Sequence, residues 1–149
     1  MDQVGRGGCG LSKIFWDSML FVYLLEGNPA YSKRVQHLLQ RAYERGDSLH
    51  TSFLAFGEVM AGAVNSPDKG IRIQQTMKEM GFSYLPFDAG AVMPFSRLRA
   101  KNKLKVADAI HLASAASAGI DLFLTGDKQL LGLDVPGIQF IADFNTPIL

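Results

Sequence analysis

From residue 13 onward, short runs of apolar and β-branched residues alternate with longer stretches of helical spacing. "KIFW" (13–16) reads as a first strand, "SLHT" (48–51) as a second, "FSYLPF" (82–87) as a third, "DLFLT" (121–125) as a fourth and "IQFI" (138–141) as a fifth. Between them the pattern predicts helices over about 18–26, 30–45 and 53–64. A further helix has Ser66 at its cap, Pro67 at its first position, Asp68 in its first turn and Gly81 past its end. Asp88 can cap another, which Pro94 is expected to kink. "VADAIHLASAASAG" (106–119) is an alanine-rich helix and "DKQLL" (127–131) a short one. Strands separated by helices pair in parallel through crossovers, so the expected fold is α/β: a three-layer α/β/α sandwich around a central, mainly parallel five-stranded sheet.

Composition adds bounds rather than detail. A chain of 149 residues, 48% hydrophobic and 19% charged, has ordinary globular make-up and room for one domain, here 13–149. Residues 1–12 are expected to form a flexible extension. Its "GRGGCG" fits G-x-G-x-x-G literally, but that motif cradles phosphate only after a strand and before a helix, and here it precedes the first strand. The apolar run at 19–25 ends at Glu26, far short of the roughly 20 residues of a membrane helix. Asp2, Arg6 and the glycines leave no signal-peptide core, so the expectation is a cytoplasmic protein with no membrane partner. The single cysteine, Cys9, excludes an internal disulfide and a cysteine zinc site. A net charge of +1 hides where the two signs sit, so local patterning must decide about nucleic acid.

The acids carry the chemistry. In open parallel sheets the binding crevice lies beyond the carboxyl ends of the strands. Asp17 directly follows the first strand, between two apolar stretches, where an isolated charge needs a compensating partner such as a cation. Asp127 stands two residues past the fourth strand. Asp108, in the first turn of its helix, and Glu58, inside "SFLAFGEVMAG", both have mainly apolar neighbours. Singly, Asp108 and Asp127 read equally well as helix caps or dipole complements, and Glu58 as a solvent-facing residue. Together, four carboxylates converging on one cleft would repel one another unless divalent cations neutralised them. All-oxygen ligation favours Mg²⁺ or Mn²⁺.

"FWDS" with Asp17, "TSFLAFGEVMAG" with Glu58, "ADAIHLASAASAG" with Asp108 and "LFLTGD" with Asp127, in this order, resemble the PIN-domain ribonucleases, most nearly the VapC-type toxins of bacterial toxin–antitoxin pairs. The resemblance runs from about residue 13 to the C-terminus. It implies a PIN-like fold, catalytic and metal-binding roles for Asp17, Glu58, Asp108 and Asp127, and supporting hydroxyls at Ser18 and Thr125. It further implies an Mg²⁺-dependent endoribonuclease that hydrolyses RNA phosphodiesters with a metal-activated water, Glu58 serving as ligand or base. A small antitoxin protein and a homodimer contact are the implied partners, the helices over 18–45 with Tyr23, Tyr31 and Tyr43 offering part of that surface. Met19, where the family often carries a small polar residue, and the glycine-rich start depart from the pattern.

Two further features bear on this reading. His111 follows Asp108 by three residues on the same helix face and is either a catalytic base or a supporting, packed residue. His37 and His50 have weaker claims. "RLRAKNKLK" sets Arg97, Arg99, Lys101, Lys103 and Lys105 together without an acid, as a solvated face or as contacts to RNA phosphates beside the acid cluster. The competing function is a non-catalytic RNA- or protein-binding module of the same fold, its acids serving as caps and ion-pair partners. A phosphotransfer domain would want a second acid near Asp17, and "FWDSML" supplies none.

Overall fold

The computed structural model describes residues 12–146. Five strands, β1 (Lys13–Trp16), β2 (Ser48–Ser52), β3 (Phe82–Leu85), β4 (Leu122–Thr125) and β5 (Phe140–Asp143), form one sheet in the order β3-β2-β1-β4-β5. Every pairing is parallel, with Ile14 opposite both Leu49 and Leu122. Parallel neighbours need crossovers, and six helices supply or flank them: α1 (Ser18–Leu25), α2 (Ser32–Arg45), α3 (Phe53–Ala61), α4 (Pro67–Glu79), α5 (Val92–Ala100) and α6 (Val106–Ala118).

The central strand is buried on both faces, which is why its apolar residues run without alternation. Ile14 and Trp16 join Leu20, Phe21, Leu38, Met77 and Leu124 in the core beneath α1, α2 and α4. Phe15 points the other way, stacks on Phe123 with ring centres 4.5 Å apart, and meets Leu112 and Ala115 of α6. The alanines of α6 allow a close approach to the sheet. Gly137, at φ +101°, lies so near Ala116 that a Cβ there would stand 2.5 Å from its carbonyl oxygen.

Several boundaries differ from the sequence reading. The second helix begins at Ser32, because the Asn28 side chain accepts from the N–H groups of Ala30 and Tyr31 and holds them in a turn. The third stops at Ala61, earlier than 64. Pro94 falls in the first turn of α5, where its missing N–H leaves no bond unmade, so it starts the helix after a short 3₁₀ turn (Ala89–Ala91). "DKQLL" is a 3₁₀ turn, Lys128–Leu130. The last strand lies two residues later than expected, since the Gly137 turn precedes it and its register sets Phe140 opposite Leu122. Ser66 precedes α4 without a side-chain bond to it. The proposed extension, 1–12, lies outside the described residues except for Ser12. Among the described residues no helix is long and apolar enough to cross a membrane.

Candidate active site

The chain proceeds from β1 outward to β2 and β3, then returns to the other side of β1 for β4 and β5. Such a reversal opens a crevice at the carboxyl edge, next to the first strand. Asp17, Ser52 and Thr125 mark the ends of β1, β2 and β4 at this edge.

Asp17 is 6% exposed and caps α1 in an extended conformation. Its amide donates to the Leu124 carbonyl at 3.0 Å, tying the cap to the neighbouring strand. One carboxylate oxygen accepts from the Ser18 amide and the other from the Thr125 hydroxyl, each at 2.8 Å. The compensation that a buried acid requires therefore comes from neutral donors. Ser18, expected to support the site by its hydroxyl, does so through its backbone N–H.

Thr125 is fully buried and bonded on both sides of its hydroxyl. While donating to Asp17, it accepts from the Asp127 amide at 3.0 Å, so a single oxygen links two of the four acids. Asp127 is half-buried and caps the following 3₁₀ turn through the Gln129 amide at 2.9 Å. Between them Gly126 has no room for a side chain: a Cβ would collide with Met19 Sδ and lie 3.0 Å from Phe144 Cε1. Met19, the departure noted in the sequence, thus packs directly over the loop that carries Asp127.

Asp108 lies in the first turn of α6, half-buried. Burial, followed by the negative charges of Asp127 and Asp17, raises its pKa above the ordinary value of 3.8, against a downward pull from His111 and Lys105. An acid in a first helical turn would by itself be stabilised in its charged form by the helix dipole. Burial outweighs that effect here, and the charges of Asp127 and Asp17 add to it, so the three acids lie within electrostatic reach of one another.

Glu58 approaches from α3, with its side chain 38% exposed. It accepts from His111 Nε2 at 2.9 Å, and His111 Nδ1 meets Ser52 Oγ at 2.7 Å. Ser52 also accepts from the Ala55 amide at 2.9 Å as the cap of α3. A serine, a histidine and a carboxylate in line suggest a nucleophilic hydrolase, but Ser52 is 1% exposed and faces the interior. It cannot reach a substrate, and that chemistry is excluded.

The basic run spans the end of α5 and the turn before α6. All five side chains are exposed. Lys105 is at the cap position of α6, where its charge reaches Asp108. Arg99 donates to the Leu104 carbonyl at 2.8 Å, and Lys103 adopts φ +55° in the turn before α6. Arg97 and Lys101 line a separate cleft of about 200 Å³ with Asp134 and Pro136. Of the five, Lys105 is the one whose charge reaches Asp108.

Ser52 was missed in the sequence; its signal was the serine at a strand-to-helix junction. Asp143 was missed as well. It ends β5 opposite Thr125, at the same sheet edge, and accepts from the Asn145 amide at 2.9 Å. His37 and His50 lie elsewhere in α2 and in the middle of β2.

Among the described residues no three acidic, histidine or cysteine side chains close on a single point as a metal cage. The donor chemistry nevertheless fits a hard divalent cation. The carboxylates supply oxygens only, and the upward shift of Asp108 comes from burial and then from two like charges that a cation would offset.

An acid-lined crevice at the carboxyl edge of a 3-2-1-4-5 parallel sheet defines the class, and residues 14–135 match the PIN domain family. The chain belongs to that family. Its structure is similar to a toxin–antitoxin complex from Klebsiella pneumoniae, with a TM-score of 0.64 at 22% identity, covering 84% of this chain and 94% of that one. It is also similar to VapBC2 from Rickettsia felis bound to a promoter DNA fragment, with a TM-score of 0.65 at 14% identity and coverage of 88% and 98%. FitAcB from Neisseria gonorrhoeae is similar at a TM-score of 0.59 and 18% identity, with coverage of 78% and 88%. No curated protein matches the chain.

Proposed function

We propose that this protein is a divalent-cation-dependent endoribonuclease, the toxin of a toxin–antitoxin pair. The observation that carries the reading is the placement of Asp17, Asp108 and Asp127 at one sheet edge, with Thr125 joining the first to the third and Asp108 raised by burial and then by the charges of the other two. Asp17, Asp108 and Asp127 would hold the cation. Bound there, Mg²⁺ or Mn²⁺ would make a water more acidic and offset the charge that builds on a phosphodiester during attack. Thr125 keeps the Asp17 carboxylate in a fixed rotamer, and the Asp127 cap keeps the second acid beside it. Glu58, the most exposed of the four, would either add a ligand or take up the proton of the attacking water. Lys105 gives an RNA phosphate a cation at the rim of an otherwise acidic crevice.

The similar structures are named as toxin–antitoxin assemblies, which supports a small protein antitoxin as partner. The exposed Val22 and Tyr43 of α1 and α2 offer apolar surface for such a segment or for a second copy of the chain. A cytoplasmic setting suits both an RNA substrate and an antitoxin.

The second reading, a non-catalytic binding module, draws on the caps: Asp17 and Asp127 each satisfy a helical terminus. Incubating purified protein with single-stranded RNA in Mg²⁺, in Mn²⁺ and in EDTA separates the two. Cleavage in either metal and none in EDTA is expected. Cleavage unaffected by EDTA would overturn the metal mechanism, and RNA binding without cleavage would establish the module.

A further inference from the structure

We infer that His111 is a positioning residue that fixes the Glu58 carboxylate through a one-directional hydrogen-bond relay starting at Ser52. The inference rests on the nuclease reading of this site. The directions follow from what each group can donate. An ionised Glu58 carboxylate only accepts, so His111 Nε2 must carry the hydrogen at the 2.9 Å contact. In a neutral imidazole Nδ1 is then bare and accepts, which makes Ser52 the donor at 2.7 Å. Ser52 is free to turn its hydrogen that way, because the Ala55 amide already donates to its oxygen. One arrangement satisfies every partner, and it runs from α3's cap to α3's own Glu58 by way of α6.

The histidine is suited to this work by its burial. It is 3% exposed and lies 6.5 Å, centre to centre, from the Phe15 ring, so its plane is set by packing. Glu58 by contrast has a side chain 38% exposed, free to sample several rotamers unless a partner holds it. A buried ring that donates one hydrogen to it selects a rotamer before substrate arrives, as partners behind metal-site ligands commonly do. His111 itself reaches neither solvent nor substrate, so it is not the catalytic base.

The test compares wild type with His111→Phe, which keeps the ring and loses both bonds, and with His111→Gln, which keeps an N–H near the Nε2 position. Mn²⁺ binding is read from the electron paramagnetic resonance signal of the free ion, RNA cleavage from initial rates, and folding from circular dichroism. His111→Phe is expected to fold and to lose about 10- to 100-fold in Mn²⁺ affinity or cleavage rate, and His111→Gln to recover most of that loss. A folded His111→Phe protein equal to wild type, or a His111→Gln protein no better than it, would overturn the relay. A fold lost in His111→Phe leaves the decision to long-range ¹H–¹⁵N spectra of wild type, which should show His111 protonated on Nε2 alone. Protonation on Nδ1 alone would also overturn it. Wild type that neither binds Mn²⁺ nor cuts RNA would instead remove the nuclease reading, while the spectra still decide whether the relay exists.

Discussion

Replacing Thr125 by valine preserves shape and removes one oxygen, and that oxygen joins two of the acids. The hydroxyl donates to Asp17 at 2.8 Å and accepts from the Asp127 amide at 3.0 Å, in a site with no solvent exposure. A hydrogen bond to a charged group contributes about 1.5–3 kcal/mol, and a neutral one to a backbone amide about 1 kcal/mol. Water cannot replace either at a fully buried position, so Thr125→Val is expected to lose about 3 kcal/mol. For a domain of this size that corresponds to a fall of roughly 9 °C in melting temperature. Thr125→Ser is the control. It retains both bonds and loses a buried methyl, a cost of about 1 kcal/mol. Urea unfolding in EDTA keeps any cation out of the comparison. RNA cleavage in Mg²⁺ should be lost in the valine variant and retained in the serine variant. A valine variant as stable as the serine variant would refute the claim that this hydroxyl holds the two acids.

Three other outcomes are expected. The folded-state pKa of Asp108 lies above its unfolded value, so metal-free stability falls as pH rises from 3.8 through the raised value; Asp108→Asn should flatten that part of the profile, be the more stable protein at neutral pH, and cut no RNA, as denaturant titrations across pH would show. Gly126→Ala should cost about 1–3 kcal/mol by forcing Met19 and Phe144 aside, and pairing it with a smaller residue at Met19 should restore part of the loss in thermal melts. Lys105→Glu should weaken RNA binding and reduce its salt slope by about 0.7 for a single strand, whereas Arg97→Glu, in the cleft beside Asp134, should leave the slope nearly unchanged in a fluorescence titration.

The strands and their parallel arrangement were legible because burial on both faces imposes uninterrupted apolar runs, as in "KIFW" and "LFLT". From there the position of Asp17 and Asp127 followed, since a residue just past a strand must lie at the carboxyl edge. The fifth strand was displaced because Gln139 and Phe140 give no inward and outward pattern; its register comes from β4. The bonds that organise the site were invisible for a related reason. Thr125 and Asp17 are 108 residues apart, and Ser52 and His111 are 59 apart. No local preference links such pairs, and only the packing of α6 across β2 brings the second pair together. The basic run shows the same limit: of five cations adjacent in sequence, Arg97 and Lys101 line a cleft with Asp134, while the charge of Lys105 reaches Asp108.

Capping and cation binding do not compete at Asp17 or Asp127. Each carboxylate oxygen has two lone-pair sites, so an oxygen that accepts from a hydroxyl or an amide retains one for a metal. The hydrogen bonds seen at these two residues are therefore expected under both readings and discriminate between neither. Asp108 is different. Among the described residues its carboxylate accepts no hydrogen bond, α6 has no side-chain cap, and burial followed by the charges of Asp127 and Asp17 raises its pKa. A domain that needed only its fold would be better served there by an amide or an alanine, because the α6 dipole, His111 and Lys105 do not fully offset the burial of that charge. Under the proposed reading, the acid that weakens the metal-free protein would serve by joining Asp17 and Asp127 around a cation. Adding Mg²⁺ at a hundredfold excess over its dissociation constant should thus stabilise wild type by about 2.7 kcal/mol and Asp108→Asn far less. Equal responses in the two proteins would place the cation elsewhere and leave Asp108 without a function in this site.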